Sequence, residues 1–554
     1  MGLNESASVG ADVLPRQYPD LHDHIATLER EGLLVRVTRP INKDTELHPL
    51  VRWQFRGLRA EDRKAFLFEN VVDSHGRHYD IPVAVGLLSA NRRVYGHAIG
   101  LDDLGKLHEL WTRANNHRIP PVEIPSSAAP IHEVIFTHDE LNVPGQGLDH
   151  LPVPISTPGW DNAPYVSASH FITKDPDTGI YNIGTYRSMI KSQARVGMNC
   201  SVETGQDIYQ HFLKYQARGE PMPAVLCIGG PPCIVFVSNQ KFDMGVSEYD
   251  VAGGLVNAPV RVTPAKTVPL LVPADAEICI EGYISTEWLE PEGPFGESHG
   301  HVNPKEYNCF MDVTGITRRR KPVLLSIASQ MGPSEASCQR GVHSSWVYLD
   351  HLHRIGIKSA RKVQLHEKSG VTRYCIIQFK QGAFDADVWR AMFACLSLHG
   401  GWPKIVIAVD EDIDIEDADS VWWAMGLRTT PHRDIQIVRG MEPGHMPRGD
   451  ERGVANESAV LWDARLKRTF PPISLPKKQY MENARCIWEE LGLPPLQPQV
   501  PWFGYSLGEW NDELDEEAEL AANSEYFRTG DKIARQRVRV RDVPMNSSFY
   551  RTKA

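Results

Sequence analysis

Long hydrophobic runs are missing from this sequence. No stretch of about 18 apolar residues occurs among its 554 residues, whereas a membrane-spanning helix needs roughly 20. The first 16 residues also lack the basic and then apolar segments that mark a secretory signal peptide. We therefore predict a cytoplasmic protein that does not enter a membrane.

An excess of positive charge is absent as well. The formal net charge is −11 at pH 7. Proteins that bind nucleic acids or anionic membrane surfaces present a basic face instead, because their partners are negatively charged. We expect neither class of partner for this chain.

Paired cysteines are the third absence. The nine cysteines are scattered singly, and no two of them form a CxxC pair. A zinc ribbon is built from such pairs, so the spacing argues against one. An odd number of single cysteines fits a reducing compartment.

What is present is the composition of a soluble globular protein, with 42% hydrophobic and 23% charged residues. A chain of 554 residues is too long for a single core. We predict a multidomain fold of mixed α/β character. Its first part, residues 16–125, is an α/β domain, because Asp20 can cap a helix of amphipathic spacing and alternating segments follow it. The Pro-rich residues 117–130 mark the end of this domain.

The pattern then changes to short β-like runs that Gly and Pro interrupt, which predicts a split-barrel-like β domain over residues 126–320. A helix is expected near residues 208–217. The runs that we interpret as strands are 180–186, 224–230, 234–238 and 276–282.

Strands and helices alternate after residue 320, which predicts an open α/β sheet over residues 321–475. Residues 476–554 are Pro-rich and then charged, and we interpret them as an arm. The acidic residues 410–417 form either a metal site or, as we expect, a solvated loop that caps the helix containing Val421.

Two carboxylates flank a turn in the central region. Glu292 and Glu297 stand five residues apart around Gly-Pro-Phe-Gly. A strand would send them to opposite faces, and a helix would place them off a common stripe. The glycines and Pro294 permit a turn that brings both to one cavity, where Phe295 could help to keep one carboxyl protonated. The alternatives are a solvated turn with two surface acids and the acid pair of a glycoside hydrolase.

Three further motifs accompany this turn. They are Asn182 with Arg187 five residues later, Ser247-Glu248-Tyr249, and Lys404 at the head of a buried strand. Together with Glu-Gly-Pro-Phe-Gly-Glu, in this order and at this spacing, they resemble the UbiD-type family of prenylated-FMN-dependent reversible decarboxylases. The resemblance extends from about residue 18 to about residue 475.

The resemblance implies decarboxylation of an aromatic or α,β-unsaturated carboxylic acid, in some members an aryl-CoA thioester. Arg187 would bind the substrate carboxylate, Glu292 would hold Arg187, and Glu297 would be the proton donor. The chain could instead be a degenerate member that serves as a partner subunit. The family also implies a homodimer or homohexamer, assembled through the C-terminal α/β domain.

The cofactor implied is prenylated FMN, supplied by a flavin prenyltransferase and held with a divalent ion, Mn2+ by preference, and a monovalent K+ or Na+. Asn182 and Glu248 match two metal ligands of the family, and Lys404 matches its phosphate-binding lysine. The third family ligand is a histidine that this chain lacks, and the alignment places Gln206 or Glu203 there. The other residues expected to bind the cofactor are Ile183, Thr185, Arg187 and Ser238.

Overall fold

A computed structural model gives the structure of the chain. It describes residues 14–200, 206–371, 373–398, 403–441, 457–467, 470–496 and 510–545. These residues carry several sheets and fourteen α-helices, which confirms the predicted mixed α/β multidomain class. Two compact units emerge within them. The first runs to Ala408 and includes Thr430–Asp463, and the second comprises Val409–Thr429 and the described residues from Ala464 onward.

The first helix, Leu21–Arg30, begins where the sequence predicts. Asp20 accepts a hydrogen bond from the backbone N–H of Asp23, whose own carboxylate accepts one from the backbone N–H of Asp20. This reciprocal cap satisfies two donors that a helix start leaves without partners. The other helices of the N-terminal region are Leu47–Gly57, Arg92–Ile99 and Leu107–Asn116.

The N-terminal region is built on a four-stranded sheet. Its strands lie in the order Leu34–Val37, Ala65–Phe68, Val83–Val85 and Leu324–Ser326. The last of these follows the central region in sequence and pairs in parallel with Val83–Val85. The chain therefore returns to its beginning after about 240 residues. Beside this sheet lies a small one made of Ile41–Asn42, Val71–Val72 and His78–Tyr79.

The central region contains a ten-stranded sheet whose neighbours are antiparallel. Eight strands follow the order Tyr181–Thr185, Ser169–Lys174, Met222–Ile228, Ile278–Ile284, Glu306–Arg318, Arg195–Met198, Ser188–Ser192 and Tyr165–Val166. Glu290–Glu292 and Val134–Thr137 pair with the long strand Glu306–Arg318. The smaller strands are Leu271–Pro273, Arg261–Pro264 and Val122–Glu123 in one sheet, and Phe295–Gly296 and Val302–Asn303 in another.

Three helices lie in the central region: Asp207–Arg218, Pro232–Val237 and Glu248–Val256. The first confirms the helix expected near residues 208–217. The second contradicts the strand predicted over residues 234–238. Its six residues are all buried, and a short run that is apolar on every side carries no period that separates a strand from a buried helix. Pro231 and Pro232 favour the helical start, because proline fits the first turn.

The C-terminal region has a five-stranded sheet in the order Ala360–Leu365, Tyr374–Phe379, Ile405–Asp410, Glu457–Asp463 and Ile435–Met441. The described helices from residue 335 onward are Glu335–Arg354, Asp385–Ser397, Ala418–Arg428, Pro431–Asp434, Lys478–Glu490, Asp512–Ala522 and Tyr526–Ala534. Asp417 caps Ala418–Arg428 as predicted, by accepting from the N–H groups of Asp419 and Ser420.

The acidic residues 410–417 are only partly solvated. Asp412 is fully buried and binds Arg428 through both guanidinium nitrogens, at 2.9 and 2.5 Å. Asp410 lies 3.5 Å from the same guanidinium. The expectation of a solvated loop is therefore wrong for these two carboxylates, which are buried and pair with Arg428 at the end of the following helix.

Candidate active site

Arg187 is the centre of a buried ionic cluster. It follows the strand Tyr181–Thr185, and only 7% of its side chain is exposed. Its Nε and Nη2 donate to the two carboxylate oxygens of Glu292 at 2.9 and 2.6 Å, and its Nη1 donates to Glu297. The guanidinium also lies 5.2 Å from the ring centre of Phe295. Burial lowers the pKa of Arg187, but Glu297 and Glu292 outweigh burial and the net pKa is raised. The residue therefore stays charged.

The turn between the two carboxylates brings them together as the sequence predicts. Gly293 has a φ of +101°, and a Cβ built on it would lie 2.8 Å from the carbonyl oxygen of Pro304. Only glycine fits this position. Asp161 then holds the backbone after the turn, because its carboxylate accepts from Gly296 N–H at 2.9 Å. Burial raises the pKa of Asp161 to about 6.

The two glutamates differ in exposure. The Glu292 side chain is fully buried, and Asn308 also donates to it, at 3.3 Å. The Glu297 side chain is 23% exposed and lines the cavity in front of Arg187. Arg187 therefore has one carboxylate that only positions it and one that also faces the space where a ligand would lie.

The cavity has a volume of about 350 Å3, within the range of small-molecule sites. Most of the residues predicted to bind the cofactor or the metal line it: Asn182, Ile183, Thr185, Arg187, Gln206, Ser238 and Glu248. Glu203 lies outside the described residues.

The cavity end away from Glu297 is rich in oxygen donors. Glu248 is the first residue of its helix and accepts from Ile183 N–H at 3.0 Å. Burial raises the pKa of Glu248 to about 8, and Asp207 acts in the same direction. Asn182 is 6% exposed, and its Nδ2 has no hydrogen-bond partner in the described structure. A hard divalent cation fits such a set of carboxylate and amide oxygens.

The hydroxyls of Thr185 and Ser238 and the imidazole of His170 form a hydrogen-bond network at the end of the strand Tyr181–Thr185. Ser238 Oγ lies 2.9 Å from Thr185 Oγ1 and 2.8 Å from His170 Nδ1. Burial lowers the pKa of His170 to about 3, so the imidazole is neutral. This arrangement fixes the two hydroxyls that line the cavity.

Three family models match the chain. They describe the N-terminal domain, the Rift-related domain and the C-terminal domain of 3-octaprenyl-4-hydroxybenzoate carboxy-lyase (UbiD), and they match residues 25–114, 122–331 and 345–448. The matched ranges cover most of the chain. The protein belongs to the UbiD family.

Solved UbiD-class structures share the fold. HmfF from Pelotomaculum thermopropionicum, in an evolved dimeric form in complex with prFMN, is 27% identical and has a TM-score of 0.70, over 82% of this chain and 97% of that one. HmfF in complex with FMN is 26% identical with a TM-score of 0.73, over 84% and 100%. An uncharacterized protein from Aquifex aeolicus is 27% identical over 86% of this chain and 99% of its own length.

Lys404 is the one predicted cofactor-binding residue among the described ones that the structure does not place at the cavity. Its Nζ lies 3.0 Å from Glu457 Oε2, and it is not among the lining residues. Three other basic residues line the cavity instead: Lys241, Arg340 and Arg373. Sequence reasoning missed them because isolated basic residues carry no motif.

Two further cavity residues add to the UbiD site. Arg340 Nη1 donates to Ser298 Oγ at 3.0 Å, next to Glu297, and burial lowers the pKa of this arginine. Asp207 lines the opposite end near Glu248. Sequence reasoning missed Asp207, because it places Gln206 at the position of the family's histidine ligand.

Two histidines near the site differ in their position relative to the cavity. His299 lines the cavity, and burial lowers its pKa to about 4. His211 is buried with its Nδ1 3.0 Å from Thr173 Oγ1, and it does not line the cavity. In the described part of the chain, no three His, Cys, Asp or Glu side chains form a metal-binding group. No helix in that part of the chain is long and apolar enough to cross a membrane.

Proposed function

We propose that this protein is a prenylated-FMN-dependent decarboxylase that removes CO2 from an aromatic or α,β-unsaturated carboxylic acid. The observation that carries the proposal is the buried cluster of Arg187, Glu292 and Glu297 at the cavity. Family membership and the flavin complexes of its relative HmfF support the cofactor.

Loss of CO2 from an sp2 carbon leaves a carbanion that no side chain can delocalise. Prenylated FMN, when bound, supplies the electron sink. The side chains do the rest. Arg187 binds the substrate carboxylate through its guanidinium, which matches a carboxylate in shape and charge. Glu292 keeps that guanidinium charged and oriented.

Glu297 is the proton donor in this proposal. It faces the cavity and contacts the same guanidinium, so it lies next to the carbon that CO2 leaves. A positioned acid of this kind contributes about 10²–10⁴-fold in rate. Glu292 is a poor candidate for this role, because Arg187 occupies both of its oxygens. The same bidentate contact speaks against a glycoside hydrolase, in which both carboxyls must reach the sugar.

Asn182 and Glu248, which line the cavity, would hold the divalent ion, which together with a monovalent ion would supply positive charge for the cofactor phosphate. Ile183, Thr185 and Ser238 line the adjacent wall. Assembly as a homodimer or homohexamer through the C-terminal sheet is part of the same proposal. A degenerate partner subunit is the alternative, and the intact Arg187 cluster favours an active enzyme.

The test is CO2 release by protein co-expressed with a flavin prenyltransferase and purified without air, assayed on a panel of aromatic acids, α,β-unsaturated acids and aryl-CoA thioesters. We expect turnover of at least one acid. Arg187→Ala and Glu297→Gln should abolish it without loss of the folded state.

Glu290→Gln is the matched control. Glu290 belongs to the same segment but pairs with Lys191 and Arg195 at 2.7 Å each and does not line the cavity. We expect wild-type turnover from this variant. Wild-type rates in Arg187→Ala or Glu297→Gln would contradict the assigned roles. Bound cofactor without turnover of any acid would favour the partner subunit.

A further inference from the structure

Two acidic side chains and one amide contribute oxygen donors to the cavity. Asn182 comes from a strand, and Asp207 and Glu248 are each the first residue of a helix. All three line the cavity. Both acids therefore border the same cavity, and the hydrogen bond from Ile183 N–H to Glu248 ties this helix start to the strand that carries Asn182.

Two like charges at a largely buried position oppose each other, and a cation between them removes the conflict. Glu248 is 4% exposed and Asp207 is half-buried. Lys241 lines the same cavity, but its single positive charge cannot balance two carboxylates.

The amide of Asn182 completes the set of donors. Its Nδ2 is buried without a hydrogen-bond partner in the described residues. Oxygen and nitrogen of an asparagine amide exchange places on a half-turn of the side chain. Asn182 can thus direct its oxygen to a cation without giving up a hydrogen bond of its nitrogen.

Gln206, which with Glu203 is one of the two ligands that the sequence predicts for this place, lines the cavity beside Asp207. It is the cap residue before the helix, whereas Asp207 is its first residue. Of these two residues Asp207 is the one with a negative charge, and hard divalent cations bind carboxylates in preference to neutral amides.

We propose that Asp207 is the third ligand of the divalent ion, so that Asn182, Asp207 and Glu248 form a site of oxygen donors with two carboxylates. This inference rests on the proposed cofactor site. A carboxylate in place of the family's histidine makes the site selective for Mg2+ or Mn2+ and weakens its preference for imidazole-seeking metals such as Co2+.

The experiment measures Mn2+ binding to the full-length, metal-stripped chain loaded with FMN, by the loss of the free Mn2+ electron paramagnetic resonance signal. We expect about one Mn2+ per chain. Asp207→Ala and Asp207→Asn should weaken binding at least tenfold. Asp207→His should retain binding and gain affinity for Co2+ relative to Mn2+. Gln206→Ala tests the rival ligand.

Gln210→Ala is the control, since Gln210 lies one turn along the same helix and does not line the cavity. Its Mn2+ affinity should equal that of the wild type. Thermal unfolding checks that each variant is folded. Unchanged Mn2+ affinity in folded Asp207→Ala overturns the inference, as does loss of binding in Gln206→Ala alone. Absence of Mn2+ binding in the wild type also overturns it. CO2 release by the co-expressed protein judges the decarboxylase proposal separately.

Discussion

Arg187 holds its two carboxylates in different ways, and the difference separates their roles. Glu292 is fully buried and meets the guanidinium with both oxygens, while Glu297 is partly exposed and meets it with one. A buried carboxylate that accepts two hydrogen bonds from a guanidinium orients that guanidinium. A charge that still faces the cavity can exchange a proton with a ligand.

We predict that Glu292→Gln raises KM for the acid substrate roughly tenfold or more, because an amide cannot accept both N–H groups and Arg187 loses its orientation. Glu297→Gln should instead lower kcat. Initial rates over a range of substrate concentrations separate the two effects. An unchanged KM in folded Glu292→Gln would contradict the positioning role.

The turn with glycine and proline predicts that Glu292 and Glu297 come together, and the resemblance to the UbiD family predicts that Arg187 joins them. The sequence does not predict Asp207, since its proximity to Glu248 depends on where a helix begins relative to a distant strand. Nor does it show that Lys404 faces Glu457 in this structure. Contacts between segments far apart in sequence decide these points.

Among the elements, Pro232–Val237 shows where pattern analysis fails. The helices Leu21–Arg30 and Asp207–Arg218 have polar faces, and their period is visible in the sequence. A fully buried helix of six residues has none. The amphipathic elements were therefore predicted correctly and this one was not.

The helix Ala418–Arg428 ends on a buried charge. Arg428 is 3% exposed and pairs with Asp412 and Asp410. We predict that Arg428→Met destabilises this unit by about 3–5 kcal/mol, because the buried carboxylate of Asp412 loses the cation that it binds. Urea unfolding, with hydrogen exchange over residues 409–429, measures the loss.

The matched control is Arg390→Met. Arg390 pairs with Asp387 on a helix surface, with side-chain exposures of 58% and 32%. Such pairs contribute about 0–1 kcal/mol. Equal effects of the two substitutions would show that burial of Arg428 does not matter for stability.

On the scale of the whole molecule, several histidines are held neutral inside the protein. Burial lowers the pKa of His24 and His211 to about 4, and that of His48 and His170 to about 3. An unfolded histidine has a pKa of about 6.5. Between about pH 6.5 and 4 the unfolded chain therefore binds protons that the folded chain does not.

We predict that stability falls as the pH drops through this window, by up to about 1.4 kcal/mol per pH unit for each such histidine. His211→Gln, which can keep a hydrogen bond to Thr173, should reduce the slope by about one proton. His75→Gln, at an exposed position, should leave it unchanged. Urea midpoints between pH 4 and 7 give the slopes, and equal slopes for the three proteins would contradict the prediction.

The strand Leu324–Ser326 is the last strand of the N-terminal sheet, although it follows the central region in sequence. Glu335, just beyond it, accepts from the backbone N–H groups of Gly86, Leu88 and Ala328. During synthesis, the N-terminal and central regions are made before the strand Leu324–Ser326 and before Glu335. Until Leu324–Ser326 is made, the strand Val83–Val85 of the N-terminal sheet lacks its neighbour on one side. A fragment that stops before Leu324 should therefore depend on chaperones. The N-terminal sheet is translated first, but it can complete its folding only after the central region has been translated.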